Sequence, residues 1–163
     1  MQELGATRVF SSPLGEISIA ASAGRIVKVE FVEDGKSQPH TNHPSDGTLA
    51  DRAATQLLEY FCGSRETFDL PLGYLGTEFQ MSVWAEIAAV GFGETATYKD
   101  LAKRIGNPKA SRAVGGAVGA NPIGIIIGCH RILGSTGKLT GYSGGHGIPT
   151  KVKLLELEGI EYK

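Results

Sequence analysis

Residues 97–133 read TYKDLAKRIGNPKASRAVGGAVGANPIGIIIGCHRIL, and this stretch decides the fold. Thr97 followed three residues later by Asp100 is a capping pattern, which opens a helix over 98–105 with Leu101, Ala102 and Ile105 inward. Gly106-Asn107-Pro108 makes a turn, and a second helix follows from about 109 to 119. Two short helices joined by a glycine-containing turn predict a helix-turn-helix. In the second helix Ala110, Ala113, Val114, Ala117 and Val118 recur at helical spacing and form its core stripe. The opposite face carries Arg112, Gly115, Gly116 and Gly119. An interior glycine costs about 1 kcal/mol relative to alanine. Several on one solvent-facing side make sense if something approaches that backbone closely, either a narrow groove of DNA or another protein segment. Arg112 on the same face favours nucleic acid, because the cation would meet phosphates or a vacated base stack.

Asn121-Pro122 ends this helix. Ile123 to Ile127, aliphatic with one glycine inside, predicts a buried strand. Cys129, His130 and Arg131 follow: a nucleophile, a base and a cation at one edge of the core. The thiolate is the nucleophilic form of cysteine, and a neighbouring His or a positive environment raises its fraction above that of a free thiol with a pKa of ~8.5. Consecutive strand residues point to opposite faces, so contact between Cys129 and His130 needs a turn, which Gly128 permits, or a bridging water. A buried, inert cysteine is the plainer alternative. A last helix over about 150–158 puts Glu158 between Leu154 and Leu155 on an apolar flank. A carboxylate buried there needs a partner, and His130 is a reasonable one, since a carboxylate orienting an imidazole beside a nucleophile is a general catalytic arrangement. A solvated C-terminal glutamate is the alternative. The glycine-rich loops at 134–138 and 141–145 lack the Gly-Lys-Ser/Thr signature of a phosphate-binding loop.

The rest of the 163-residue chain predicts an α/β protein of the α+β kind. Residues 6–35 alternate apolar and polar around turns at Ser12-Pro13-Leu14-Gly15 and Gly24, as a small antiparallel sheet does. Residues 34–47 read as a polar loop. His40 and His43 lie in it without a third ligand at a recognisable spacing, so no metal is expected. An amphipathic helix over 49–62 has Ala53, Leu57, Tyr60 and Phe61 on one side, with Cys62 as a packing residue before the stop at Gly63. Phe68 to Leu72 reads as a short strand before a linker over 73–76. The first unit is then 1–75, and a mainly helical second unit with the helix-turn-helix and the buried cysteine is 76–163. The second unit opens on a capping box, Thr77 with Gln80, followed by Val83, Trp84, Ile87 and Ala88 at helical spacing, with Trp84 as core.

Hydrophobic content of 41% fits a globular chain. No apolar run approaches the roughly 18 residues a membrane helix needs, and the start lacks a signal sequence. Two cysteines make no disulfide framework, which points to a reducing compartment such as the cytoplasm. Residues 1–75 hold 6 Lys and Arg against 10 Asp and Glu, and residues 76–163 hold 10 against 7, so the halves carry −4 and +3 and the second suits a polyanion better.

The order of the motifs YFCGSRETFDLPL, GTEFQMSVW, GETATYKDLAKRIGNPKASRAVGGAVGANP, IIIGCHRIL, GYSGG and LLELEG resembles the O6-alkylguanine-DNA alkyltransferase family across about residues 58–160. The resemblance implies direct repair of double-stranded DNA by a monomer, without cofactor. Cys129 would take the alkyl group from guanine O6, and from thymine O4, and keep it as a thioether. His130 would accept the thiol proton through a water, Glu158 would hold His130, and Asn121 would brace the turn. Tyr98 would bond the leaving guanine, and Arg112 would fill the stack left by a flipped nucleotide. The Ile132 carbonyl and Ser143 would line the guanine pocket, with Tyr142 as a wall, and Lys99, Asn107, Gly115 and Ser135 would add DNA or substrate contacts. Two positions depart from the family pattern: Gly128 and Gly124 stand where proline is usual. Proline fixes φ and glycine frees it, so a looser active-site segment with altered alkyl tolerance is expected. A damage-binding relative without transfer and a Cys-His-Glu hydrolase are the rival activities. The former replaces the cysteine, and the latter needs an oxyanion loop that the sequence does not offer.

Overall fold

The computed structural model describes residues 7–32, 49–142 and 144–163. His40, His43 and Ser143 lie outside them. Strands β1 (Thr7–Ser12), β2 (Gly15–Ser22) and β3 (Arg25–Phe31) form an antiparallel sheet in the order β1-β2-β3, with Phe10 opposite Ile17 and Ile19 opposite Val29. The alternation works as pattern arguments require: Ile17, Ile19 and Ala21 are buried while their neighbours are partly exposed. Helix α1 (Leu49–Phe61) covers that face with Ala50, Ala53, Ala54 and Leu57. Cys62, just past its end, is exposed rather than packed. The helical face has already rotated away from the sheet there, and Tyr60 is the last buried residue.

The second edge of β3 is occupied from two directions. Ile26 exchanges hydrogen bonds with Pro71 and Gly73 (both 2.8 Å), so the expected strand at 68–72 is only a bridge at Leu72. Further along, Val29 N–H donates to the Pro122 carbonyl and its own carbonyl accepts from Gly124 N–H (both 3.0 Å). The segment leading to Cys129 is thus docked on the sheet, which also covers an edge that would otherwise be open.

Helix α2 (Glu78–Ala88) starts at the Thr77–Gln80 capping box and buries Val83, Trp84 and Ile87. Ala88 is exposed. The Trp84 indole N–H donates to the Ala117 carbonyl at 2.8 Å, so the tryptophan is core and is also satisfied. A two-residue strand, β4 (Ala96–Thr97), runs into α3 (Tyr98–Arg104), capped by Thr97 and Asp100 as the sequence indicates. Helix α4 (Ser111–Gly119) completes the helix-turn-helix. It begins two residues later than expected. It buries Val114, Ala117 and Val118, whereas Ala110 is half-buried and Ala113 is exposed. The core stripe is therefore narrower than the apolar spacing suggested.

Ile123 to Ile127 is not a strand. Ile125 sits at φ 69°, unusual for a β-branched residue, with Ile126 N–H bonded to the Gly124 carbonyl at 2.8 Å around it. The three isoleucines Ile123, Ile125 and Ile127 are nonetheless buried. Apolarity is what the run encodes, and a coiled segment satisfies it as well as a strand. A 3₁₀ turn over Cys129–Arg131 leads to β5 (Ile132–Leu133), parallel to β4 with Ala96 opposite Ile132. That pairing sets the start of α3 beside the exit of the cysteine segment. Helix α5 (Ile148–Leu157) closes the chain. One cluster of buried side chains runs from Phe10 through Trp84 to Leu154, so both halves of the chain share a core. Among the described residues no helix is long and apolar enough to cross a membrane.

Candidate active site

The cysteine segment is held by its own polar groups. The Asn121 side chain accepts from Ile123 N–H (3.0 Å) and donates to the Ile127 carbonyl (2.8 Å), closing the coil over 123–127 from inside. Cys129 N–H donates to the Ile127 carbonyl at 2.8 Å, an inverse γ-turn centred on Gly128 at φ −75°, ψ 63°. That φ lies within the proline range. The backbone here does not require glycine, and what a larger residue would meet is a side chain. A Cβ at Gly128 would sit 3.0 Å from the Arg131 side chain.

Cys129 is only 6% exposed, yet it lines two clefts. In the first, of about 270 Å³, Gly115, Val118 and Gly119 of α4 and Tyr98 of α3 face Cys129, Gly141 and Tyr142. The second, of about 350 Å³, reaches the cysteine from the end of β3, past Gly124 and Asn121. Arg112 is exposed and falls on the same helical face as Gly115 and Gly119, so the first cleft opens beside the glycine-rich surface. Lys99, Asn107 and Ser135 are exposed and stand outside both cleft linings.

Burial pushes the Cys129 thiol up, against the lowering influence of a hydrogen bond with Asn121, the Lys151 charge and a hydrogen bond with Tyr142. The resting group is a neutral thiol, not the poised anion that an adjacent histidine suggested. Burial also pushes Tyr142 well above its usual range, so its phenol stays protonated beside the sulfur.

Behind the thiol lies a buried polar network. Glu158, at the end of α5, has a fully buried side chain and accepts from five donors. They are His130 Nε2 (2.5 Å), Tyr60 Oη (2.6 Å), Arg131 Nε (2.8 Å) and Nη2 (3.1 Å), and Gly93 N–H (3.0 Å). Burial alone would raise its pKa, but the bonds from His130 and Arg131 outweigh that and hold it at about 2. The paired carboxylate that an apolar flank demands is thus present, with His130 as its partner and Arg131 as a second. Burial lowers the pKa of His130, with Glu158 opposing. Its Nδ1 is buried and has no hydrogen-bond partner.

Tyr98 Oη and Thr140 Oγ1 are 2.8 Å apart, and Lys151 Nζ donates to Thr140 Oγ1 (3.1 Å) and to the Ile132 carbonyl (2.7 Å). Lys151 is 1% exposed, and burial lowers its pKa to about 8. The sequence placed Tyr60 only on an apolar helix face, and Thr140 and Lys151 were passed over. Lys151 was findable: Lys151, Leu154, Leu155 and Glu158 share one helical stripe, and a lone lysine on a buried stripe needs acceptors. Tyr60 carried no such signal, because a tyrosine on an apolar face is ordinary core. Among the described residues no group of three or more His, Cys, Asp or Glu is placed to hold a metal ion.

Two family models match. The 6-O-methylguanine DNA methyltransferase ribonuclease-like domain covers residues 7–74, and the 6-O-methylguanine DNA methyltransferase DNA binding domain covers residues 78–160. A methylated-DNA–protein-cysteine methyltransferase of Methanosarcina acetivorans is 45% identical over 93% of this chain and 96% of that protein. The constitutive enzyme of that name in Bacillus subtilis is 41% identical over 93% of this chain and 94% of that protein. The crystal structure of Mycobacterium tuberculosis OGT in complex with DNA superposes with a TM-score of 0.81 at 42% identity, covering 93% of this chain and 91% of that one. The buried thiol, its carboxylate-held histidine and the helix-turn-helix thus occur in a chain that belongs to the 6-O-methylguanine DNA methyltransferase family.

Proposed function

We propose that the chain acts as a methylated-DNA–protein-cysteine methyltransferase. It repairs double-stranded DNA by moving the alkyl group of O6-alkylguanine, and of O4-alkylthymine, to Cys129, once per molecule. The observation that carries this reading is Cys129 lining a cleft whose other wall is the glycine-rich face of α4. A base inside a duplex cannot be reached in line by a buried sulfur, so the damaged nucleotide is turned out of the stack into this cleft. Gly115, Gly116 and Gly119 let the minor-groove backbone close on α4, and Arg112 takes the vacated place in the stack. Lys99, Asn107 and Ser135 contact DNA, and Ser143 contributes to substrate recognition.

The thiol is neutral at rest, so its proton must leave as the S–C bond forms. His130 Nδ1, the ring nitrogen left over once Nε2 bonds Glu158, takes that proton through a water. The C–O6 bond breaks, and its electron pair leaves with guanine, which takes a proton from the Tyr98 hydroxyl. His130 gives the thiol proton up to solvent and Tyr98 is reprotonated from it, so that one proton moves net from sulfur to guanine. The product is a thioether. No group at the site offers a way to cleave it, so the reaction stops after one equivalent. Tyr142 borders the bound base and Asn121 fixes the turn carrying the sulfur, whereas the Ile132 carbonyl is outside the cleft lining and accepts from Lys151. The protein works as a monomer, with an N-terminal unit over 1–75 and a DNA-binding, alkyl-accepting unit over 76–163.

Incubation with a duplex containing O6-methylguanine, followed by intact mass and peptide mapping, tests this. One added CH₂ on Cys129, one equivalent per chain and none in Cys129→Ser, is the expected result. Binding of the lesion without mass gain, or continued turnover, overturns the reading.

A further inference from the structure

The Glu158 carboxylate is reached from the other half of the chain. Tyr60 lies on α1, 98 positions earlier in sequence, and its hydroxyl donates to Glu158 Oε2 at 2.6 Å in a fully buried setting. We propose that Tyr60 is a positioning residue for alkyl transfer: its phenol holds Glu158 so that His130 keeps its proton on Nε2 and presents Nδ1 as the base. This deepens the transfer reading above and depends on it for its catalytic meaning.

The geometry makes the assignment. An ionised carboxylate only accepts hydrogen bonds. Oε2 meets Tyr60 Oη, His130 Nε2 at 2.5 Å and Arg131 Nη2 at 3.1 Å, so all three are donors. The His130 proton is then on Nε2, and the lone pair on the buried, unpartnered Nδ1. Tyr60 is itself fixed: the rings of Phe61, Phe68 and Phe92 surround it at centroid distances of 5.5, 5.6 and 6.1 Å. Phe92 precedes Gly93, whose N–H bonds the other carboxylate oxygen, Oε1, at 3.0 Å. One aromatic cage therefore sets both the phenol and the backbone donor on Glu158.

Tyr60 also tunes His130. Each donor offsets part of the Glu158 charge, and a less neutralised carboxylate favours the imidazolium. The charged and titratable groups around His130 are Glu158 and Lys151 from the C-terminal segment, Arg131 and Cys129 from its own, and Tyr60 from α1. Loss of the phenol leaves the others in place, so His130 protonates at higher pH and stops serving as a base there.

The test uses the full chain with Tyr60→Phe. Single-turnover transfer from an O6-methylguanine duplex is followed from about pH 5 to 9, together with duplex affinity and the ¹⁵N shifts of His130 without DNA. Expected are a plateau rate down by about tenfold, an acid limb moved up by about half a unit or more, unchanged affinity, and His130 shifts of mixed tautomers. Ile19→Val thins the core beneath α1 but touches no donor to Glu158, and it should leave the acid limb and the tautomer as they are. An unchanged limb and unchanged shifts in Tyr60→Phe, or an equal change in Ile19→Val, overturns the role of Tyr60. Failure of the wild-type chain to take the methyl group would overturn the transfer reading instead, and the His130 shifts would still decide the hydrogen-bond assignment.

Discussion

Glu158 is a carboxylate that burial alone would push toward the neutral acid, yet its donors keep it ionised down to a pKa of about 2. Its ordinary value is 4.5, so the folded state holds the proton more weakly than the unfolded chain does. The stability that this confers is complete above pH 4.5 and is lost as the pH falls toward 2. Glu158→Gln should therefore flatten the acid part of a urea-midpoint titration in that window. It also strands the Arg131 guanidinium, of which only the contact with the Val90 carbonyl at 2.8 Å survives unaltered. Breaking a buried pair in this way costs about 3–5 kcal/mol, which urea denaturation at neutral pH should register. Transfer should fall by about 10²- to 10⁴-fold, because the imidazole loses both its tautomer and its counter-charge. An acid limb as steep as that of the wild-type chain would mean that other carboxylates govern acid stability. The neutral Cys129 thiol belongs to the same balance. A sulfur this buried gains nothing from resting as an anion, so activation has to coincide with attack.

Helix α4 sets foldability against function. A Cβ built on Gly116 or Gly119 meets nothing within 4 Å, and on Gly115 it only reaches the Tyr98 ring at 3.9 Å. Packing within the monomer does not require these glycines. Gly116→Ala should then stabilise the chain by about 0.5–1 kcal/mol in thermal or urea unfolding, while weakening duplex binding if a groove wall must touch that backbone. Gain of stability with unchanged affinity would remove the close approach from the docking model. This helix was legible in sequence because its signals are local: spacing for the buried side, glycine for the bare side, and capping patterns at Thr77 and Thr97 for its neighbours. The coil over 123–127 was not legible. A run of isoleucines declares burial, but φ 69° at Ile125 follows from the Asn121 clasp and the edge of β3, both set by the tertiary fold. The site divides in the same way. Cys129, His130 and Glu158 announce themselves by type and position, whereas Tyr60 looks like any core tyrosine until α1 is packed against Glu158.

On the scale of the molecule, the sheet of the first half and the helices of the second share one core, and the cysteine segment lies in the seam between them. The charge is split along the same line, with −4 in residues 1–75 and +3 in residues 76–163. Such a distribution turns the basic half toward a polyanion while the acidic half is repelled, so association is oriented with little net attraction. The salt dependence of duplex binding reads this directly. If phosphate contacts are confined to the surface of Arg112, Lys99 and the adjacent helix start, about three counterions are released, giving a slope of roughly −2.7 in log K against log salt. Affinity for an undamaged duplex should then drop by roughly 40-fold between 50 and 200 mM salt and vary little with base sequence. A slope near −8 would require a phosphate footprint too large for this face and would place part of the first half on the DNA as well. A slope near zero would take the phosphates out of the interface, and the glycine face of α4 would then be the seat of a protein partner.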